Sequence, residues 1–197
     1  MKAAELNKSD KLYLTVDDIA RTLSITRESA KVTATRYFNK GYLIRLKKDF
    51  YTTPDKFNNL KEPGLFKLAN IIQTPSYISL LTALGYYNIS TQQQRNLIES
   101  IALKKSKSIS IQNLHFTYSL IKKEMYEGFE LRDDFFIAFP EKALADVIYL
   151  FSLGRYSCDL DAIDFKKLNK KRIQKFLEKT NKKTILYWKK ICASYRI

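Results

Sequence analysis

The sequence predicts an α+β fold in two domains, a small one over residues 1–56 and a mixed α/β one over residues 62–197. Three patterns support this division. Two capped helical runs and a hairpin stand close together near the start, β-rich runs alternate with helical ones in the middle, and two basic amphipathic runs stand near the end. The chain has 45% hydrophobic residues and only 4 prolines and 5 glycines, so it can fill an ordinary core.

The N-terminal pattern begins with two helices. Thr15 precedes an amphipathic run, Val16–Leu23, whose first turn carries two aspartates, and carboxylates there stabilise the positive end of the helix dipole. A two-residue turn follows, and Thr26 is the N-cap of a second run, Arg27–Lys40. We expect this second helix to end at Gly41, because glycine accepts the left-handed conformation that closes a helix.

A predicted hairpin follows these helices directly. Tyr42–Leu46 and Phe50–Thr53 are β-rich runs around a polar tip, Lys47–Asp49. Two helices joined by a short turn and followed at once by a hairpin form the pattern of a winged helix-turn-helix. We therefore predict that fold for the first domain, and we expect Pro54–Gly64 to be a linker or a domain boundary.

The second domain is predicted to mix helices and strands and to end in basic helices. Pro75 and Pro140 are each expected to begin a helix, since proline is favoured in the first turn. The expected helices are Ser76–Tyr87, Glu141–Phe151, Lys170–Glu178 and Lys183–Tyr195. The expected strands are Asn96–Leu103, Ser108–Ile111, His115–Leu120 and Ile137–Phe139.

Positive charge is concentrated at the two ends of the chain. Residues 1–60 hold 12 Lys/Arg against 7 Asp/Glu, residues 61–165 hold 11 against 12, and residues 166–197 hold 12 against 1. Such a field attracts a polyanion, either nucleic acid or an anionic membrane surface. A compositional bias toward lysine is the alternative explanation of the net charge of +15, although bias would spread evenly along the chain.

The second helix carries the predicted DNA-reading face. With successive residues 100° apart, Ala30, Ala34 and Tyr37 point inward, and a set of donors, an acceptor and methyl groups points outward. The two lysines at the hairpin tip are expected to contact phosphate or the adjacent minor groove. The predicted DNA-contacting residues of this domain are Thr26, Arg27, Glu28, Ser29, Lys31, Val32, Thr35, Arg36, Lys47 and Lys48, with Asn39 on the same face. A winged helix that only contacts protein is the alternative.

The basic end of the chain is a second predicted phosphate-contacting surface. Its candidate contacts are Lys170, Lys171, Arg172 and Lys175. The apolar residues between the lysines are expected to pack on the domain while the lysine stems cover the rim; they include Leu168, Ile173, Phe176, Leu177, Ile185, Leu186 and Trp188. A merely solvated face and a membrane contact are the alternatives.

Residues that carry catalysis are sparse, so no enzymatic activity and no cofactor are predicted. One histidine, His115, and two distant cysteines make a zinc site improbable, and no glycine-rich phosphate loop occurs. The acid pairs Asp133-Asp134 and Asp159-x-Asp161 leave open a divalent-ion site and hence a metal-dependent hydrolase or phosphotransferase. The start is polar, and the longest apolar stretch, Ile137–Leu153, is short and interrupted by charges, so we expect a cytoplasmic protein with reduced thiols.

Three strings of the sequence are informative together, namely LTVDDIARTLSITRESAKVTATRYFNKGYLIRLKKDFY, LANIIQTPSYISLLTALGYYNIS and FIAFPEKALADVIYLF. Together they resemble the AbiEi family of bacterial antitoxins of type IV toxin–antitoxin and abortive-infection systems. The resemblance implies an N-terminal winged helix that binds inverted repeats in the promoter of its own operon and represses it. It also implies a C-terminal domain that counters a nucleotidyltransferase-like toxin, for which a stable complex is not required.

The resemblance places the DNA-reading helix at Arg27–Lys40 and the wing at Tyr42–Thr53, and it places the signatures of the antitoxin domain at Pro75–Leu80 and Pro140–Asp146. One departure concerns the wing, where the family usually has glycine in the tight turn and this chain has Lys48-Asp49-Phe50. Aspartate tolerates a left-handed backbone, so we expect the turn to form. Ser76 and Ser79 in the first signature and Glu141 in the second are expected to cap the first turns of their helices.

Overall fold

The computed structural model describes residues 3–92 and 95–197. They form two compact units, which divide between Leu65 and Phe66. Helices and two separate β-sheets make up these units, so the predicted α+β class is confirmed.

The first unit combines short helices with a three-stranded sheet. Its elements are α1 (Ala3–Asn7), β1 (Leu14–Thr15), α2 (Val16–Leu23), α3 (Arg27–Asn39), β2 (Ile44–Lys47), β3 (Phe50–Thr52) and α4 (Pro54–Asn58). The strands lie in the order β1-β3-β2, and both pairings are antiparallel. The short α1 was not predicted, and it contributes the fully buried Leu6 to the core.

The predicted helix ends of this unit are confirmed. The Thr15 hydroxyl accepts a hydrogen bond from the Asp18 amide, and the Asp18 carboxylate accepts one from the Thr15 amide, which completes a capping box. The Thr26 hydroxyl accepts from the amide of Ser29 at the start of α3. Gly41 follows the end of α3 with a φ of +74°, the left-handed conformation expected there.

Packing of α2 against α3 forms the core of this unit. The apolar stripe of α2 is buried, and so are the three positions of α3 predicted to point inward. Side chains from α1, the strands and the segment after α3 complete it. The buried core residues of the first unit are Leu6, Leu14, Val16, Ile19, Leu23, Ala30, Ala34, Tyr37, Leu43 and Tyr51.

The segment Pro54–Gly64, expected to be a linker or a domain boundary, is largely helical instead of irregular, and the two units divide just after it, between Leu65 and Phe66. Pro54 occupies the first turn of α4, and Phe57 of that helix is buried. The next helix, α5, begins at Glu62 and ends at Ile72. Turn-forming residues dominate this stretch, but proline also suits a helix start, and a buried aromatic ring holds the short helix in place.

The second unit is built on a six-stranded mixed sheet. Its strands are β4 (Ser76–Ile78), β5 (Leu97–Ala102), β6 (Lys107–Ile111), β7 (Leu114–Leu120), β8 (Phe129–Arg132) and β9 (Phe135–Ala138). Its further helices are α6 (Leu80–Tyr86), α7 (Pro140–Ser152), α8 (Lys170–Leu177) and α9 (Lys182–Tyr195), with short 3-10 turns at Lys123–Met125, Leu160–Ala162 and Phe165–Lys167. The strand order is β6-β7-β5-β4-β9-β8.

The expected helix over Ser76–Tyr87 is wrong in its first part. Ser76–Ile78 is the central strand β4, antiparallel to β5 and parallel to β9, and the helix begins only at Leu80. Pro75 therefore precedes a strand. All three residues of β4 are buried, and a fully buried strand of this length has no alternation that would distinguish it from a helix start.

The remaining predicted strands and helices of this unit are confirmed to within a few residues, and β8 is an addition that was not predicted. One packing expectation is wrong: Leu186 was expected to be covered, but 59% of its surface is exposed. It lies on α9 two residues before Trp188, which is buried, so the two side chains point to different sides of that helix.

Candidate nucleic-acid interface

The outward face of α3 is exposed along its whole length. Ala30 and Ala34 are fully buried, whereas Val32 between them is 71% exposed. Every DNA-contacting residue predicted on α3 is exposed, and so are its cap Thr26 and Asn39. The helix therefore presents one continuous surface of mixed polar and apolar side chains.

A shallow concavity of about 520 Å³ runs along this face. It is open to solvent and is lined by Lys31, Val32, Thr35, Arg36, Asn39 and Lys40. Four of these six belong to the predicted reading set. Donors, an acceptor and a methyl-bearing side chain thus meet in one strip, which is the combination that can recognise base edges.

The first turn of α3 is held by local contacts. The Thr26 hydroxyl lies 3.0 Å from the Ser29 hydroxyl. The Nε of Arg27 donates to Oδ1 of Asp17 on α2 over 2.8 Å, and both side chains are more than half exposed. Because an exposed ion pair of this kind contributes little, Arg27 can exchange Asp17 for another anion at low cost.

The middle of the face is less constrained. Lys31 lies 3.7 Å from the carboxylate of Glu28, and the Thr35 hydroxyl donates to the Lys31 carbonyl over 3.1 Å. The guanidinium of Arg36 lies 5.6 Å from the centre of the Tyr37 ring. This stacking orients the Arg36 stem while its N–H donors stay available.

The hairpin tip forms as the sequence predicted. Asp49 adopts a φ of 63°, the left-handed conformation expected of an aspartate that replaces glycine. The ammonium of Lys47 lies 4.2 Å from the centre of the Phe50 ring, and Lys48 is exposed at the tip. Both predicted lysines thus lie on the hairpin that follows α3.

The basic candidates of the second unit lie on α8. Lys170, Lys171, Arg172 and Lys175 are all exposed, while Ile173 and Leu177 of the same helix are buried. Lys170 donates to the terminal Ile197 carbonyl over 2.6 Å, and Arg172 lies 3.4 Å from the Glu141 carboxylate. The helix thus presents a positive rim on an apolar base, as predicted.

A buried polar cluster, which sequence reasoning missed, joins the two signature strings. Oδ2 of Asp146 accepts from the hydroxyls of Ser79 (2.8 Å) and Tyr77 (3.0 Å), and Oδ1 contacts the ammonium of Lys142. Lys142 and Asp146 are 2% and 0% exposed in their side chains. Burial, and then the Asp146 carboxylate, raises the pKa of Tyr77 well above its ordinary value. We call these four residues the buried cluster.

The expected capping roles in the signatures are wrong. Ser79 is the N-cap of α6 in position, but its side chain makes no capping hydrogen bond and donates to Asp146 instead. Glu141 is 6% exposed and accepts from the Asn169 amide at the start of α8, so it links two helices. The i, i+4 spacing of Lys142 and Asp146 was the one available signal of the cluster.

The acid pairs considered for metal binding serve turns. Asp133 and Asp134 form the tip between β8 and β9, where Asp134 pairs with Lys67 over 2.9 Å. Asp159 caps a 3-10 turn through the Asp161 amide. Within residues 3–92 and 95–197, no group of three or more His, Cys, Asp or Glu side chains is arranged to hold a metal ion.

The two cysteines and the histidine show no catalytic pairing with one another. Both cysteines are free thiols. Burial, followed by the carboxylates of Glu99 and Asp159, raises the pKa of Cys158 to about 11. His115 is exposed, and its Nδ1 lies 2.9 Å from the Ser110 hydroxyl.

No protein-family model matches the chain, and no curated protein matches it. Among solved structures, the chain is similar to the crystal structure of the RV2827C protein from Mycobacterium tuberculosis, with a TM-score of 0.61 and 12% sequence identity. The match covers 92% of this chain and 71% of that one. The two chains share a fold. In the part of the chain that the structure describes, no helix is long and apolar enough to cross a membrane.

Proposed function

We propose that this protein is a cytoplasmic, non-enzymatic transcriptional repressor that binds double-stranded DNA through an N-terminal winged helix-turn-helix, and that it is the antitoxin of a two-gene system. The observation that carries the DNA-binding part is the exposed strip along α3, with its concavity of about 520 Å³. A capped helix with polar side chains on one open face and a basic hairpin next in the chain suits the major groove.

In this proposal, α3 selects the sequence. The Arg36 guanidinium can bind the O6 and N7 acceptors of guanine in bidentate fashion, and Val32 can contact a thymine methyl group. The first turn, with Thr26, Arg27 and Ser29, lies where recognition helices usually enter the groove. Lys47 and Lys48 on the hairpin contact phosphate and fix the register of α3 on the duplex.

The basic rim of α8 contributes affinity in this proposal. Its four side chains, Lys170, Lys171, Arg172 and Lys175, are exposed and stand on a helix whose other side is buried. Neutralising phosphates releases counterions, so contacts of this kind strengthen binding without reading sequence. Repression follows from occupancy of the promoter by the bound protein.

The antitoxin part of the proposal rests on the sequence resemblance. The positions of the two C-terminal signatures support it, because both signatures contribute to the buried cluster. PSYISL contributes Tyr77 and Ser79, and PEKALAD contributes Lys142 and Asp146. The residues that carry the resemblance therefore organise the centre of the second unit. In this proposal the protein counters a nucleotidyltransferase-like toxin, and a stable complex with that toxin is not required.

Binding to defined DNA tests the proposal. Fluorescence anisotropy with the full chain should show tighter binding to the duplex immediately upstream of its own reading frame than to a shuffled duplex of equal length and composition. The inverted repeats in that duplex should be the protected region in footprinting. Equal affinity for both duplexes would contradict a sequence-selective repressor.

One observation favours a second candidate, a module that docks a protein through α3. Val32 in the middle of α3 is 71% exposed, and Phe38 and Tyr42, at and beyond the end of α3, are 43% and 41% exposed, so this part of the chain exposes more apolar surface than phosphate contacts require. The occupant would then be the toxin or a target of the toxin. Loss of toxin neutralisation in a Val32→Asp variant that still binds its operator would favour this candidate over the first.

A further inference from the structure

β8, one of the two edge strands of the six-stranded sheet, has no neighbouring strand on its outer side. β8 is the last strand in the order, and it pairs only with β9. Its turn to β9 has two residues, Asp133 and Asp134, with φ values of 46° and 68°, which is a type I′ hairpin. In the described residues 3–92 and 95–197, no hydrogen bond from elsewhere in the chain reaches the outer edge of β8.

The hairpin geometry defines which backbone groups point outward. Arg132 and Phe135 flank the two-residue turn, so they form a hydrogen-bonded pair, and such pairs alternate along an antiparallel ladder. The next position, Leu131, therefore directs its N–H and C=O away from β9. The amide of Phe136 opposite Leu131 points away from β8 in the same manner, since it donates to Oδ1 of Asn70 over 2.6 Å.

The side chains at this edge form an exposed apolar pair. Leu131 is 62% exposed and Phe136, its cross-strand partner, is 41% exposed. Cross-strand partners project from the same face of a sheet, so the two form one patch. Phe136 continues inward to Phe129, whose ring centre lies 5.9 Å away.

The charges on the other face of β8 are self-complementary. Glu130 and Arg132 flank Leu131 with opposite charges, and within one copy the Arg132 guanidinium lies 2.7 Å from the Glu130 carboxylate. If two copies of β8 pair antiparallel about a twofold axis at Leu131, Glu130 of each copy lies opposite Arg132 of the other. Leu131 then faces Leu131 with its outward N–H and C=O groups, which is the hydrogen-bonded kind of pair.

We propose that a second copy of this chain docks on β8 in this antiparallel register and extends the sheet across the twofold axis. The apolar patches of both copies then meet on one face, and on the other face the Glu130–Arg132 pair within each copy is exchanged for two ion pairs between the copies. Many proteins protect edge strands with lysine or proline, and the Phe129–Arg132 segment has neither. A twofold contact of this kind is the commonest form of homo-oligomer. The inference does not depend on DNA binding.

Charge exchange tests this register. Sedimentation equilibrium of the full chain should show a mass that rises with concentration from 23.1 kDa toward twice that value. Glu130→Arg alone or Arg132→Glu alone should raise the dimer dissociation constant about tenfold or more, because two attractive pairs become two repulsive ones. An equimolar mixture of the two single variants should dimerise again, since each like-charged strand then meets its complement.

The mixture also separates association from misfolding, because misfolded variants would not recover on mixing. Leu131→Lys should likewise weaken the dimer, while the matched control Leu186→Lys, at another exposed leucine, should leave it unchanged. A mass of 23.1 kDa for the unmodified chain at every concentration would overturn the proposal. So would a dimer that Glu130→Arg leaves intact, or single variants that stay monomeric when mixed.

Discussion

The hydroxyl of Ser79 donates a hydrogen bond to Oδ2 of Asp146 over 2.8 Å, although 67 residues separate them in the chain. This contact ties the segment between β4 and α6 to the middle of α7. Both residues are fully buried, and Asp146 also contacts the buried ammonium of Lys142. The second unit thus has a buried salt bridge at its centre, and a buried charge that loses its partner is strongly destabilising.

Lys142→Met should therefore lower the free energy of unfolding by about 3–5 kcal/mol, because it leaves the Asp146 carboxylate without its cation. The matched control is Lys175→Met on α8, where the side chain is exposed and a change within about 0.5 kcal/mol is expected. Urea unfolding followed by circular dichroism measures both. Equal midpoints for the two variants would contradict the assignment of a buried ion pair.

Acid should weaken the capping box of α2. Burial raises the pKa of Asp18, but hydrogen bonds from Lys11 and Thr15 outweigh it and lower the pKa from 3.8 to about 2. A carboxylate with a lowered pKa stabilises the fold fully above its unfolded pKa, and this contribution is lost as pH falls from about 4 through about 2. Because its partner Lys11 is more than half exposed and is screened by solvent, the contribution is on the order of 1 kcal/mol.

The comparison of Asp18→Asn with the unmodified chain isolates this effect from other acid titrations. At pH 5 the variant should be less stable, and the difference should shrink as pH falls toward 2 because Asp18 becomes neutral. Urea midpoints at several pH values give the difference directly. A difference that stays constant down to pH 2 would mean that the Asp18 charge does not stabilise α2.

Such caps are predictable because their chemistry is local. Thr15, Asp18 and Thr26 act within three residues, and Gly41 closes its own helix, so the first unit follows closely from its sequence. The exposed face of α3 was predictable for the same reason, because successive residues of an α-helix are rotated by 100° about its axis.

The second unit depends on contacts between distant residues, and there the predictions are less complete. β4 lies between β5 and β9, and its three buried residues carry no periodicity. Asp146 reads as a polar interruption of an apolar helix until Tyr77 and Ser79 approach it. Strand pairing and burial decide both cases, and neither can be read from a single segment.

The thiol of Cys158 should react slowly. Its pKa of about 11 leaves a thiolate fraction at pH 8 on the order of 100-fold below that of an ordinary cysteine. In a Cys192→Ser background, iodoacetamide should alkylate the folded protein far more slowly than the urea-unfolded protein. Comparable rates in the two states would show that burial does not protect this thiol.

The basic rim of α8 should control the salt dependence of DNA binding. Replacing Lys170, Lys171, Arg172 and Lys175 with glutamine should reduce the slope of log K against log salt by up to about 0.9 per lost phosphate contact. A control with the same charge change replaces Lys104, Lys105, Lys122 and Lys123, which are exposed elsewhere in the second unit. Equal slopes for both sets would mean that the rim of α8 is only solvated surface.

In the proposed function the outward face of α3 selects the DNA sequence, and the ratio of affinities for the upstream and shuffled duplexes measures this selectivity. Arg36→Ala should reduce the difference in binding free energy between the two duplexes by about 1–3 kcal/mol, because a bidentate base contact is lost. Arg95→Ala, at an exposed arginine of the second unit, should leave the ratio unchanged. Equal weakening of both duplexes by Arg36→Ala would contradict base recognition by α3.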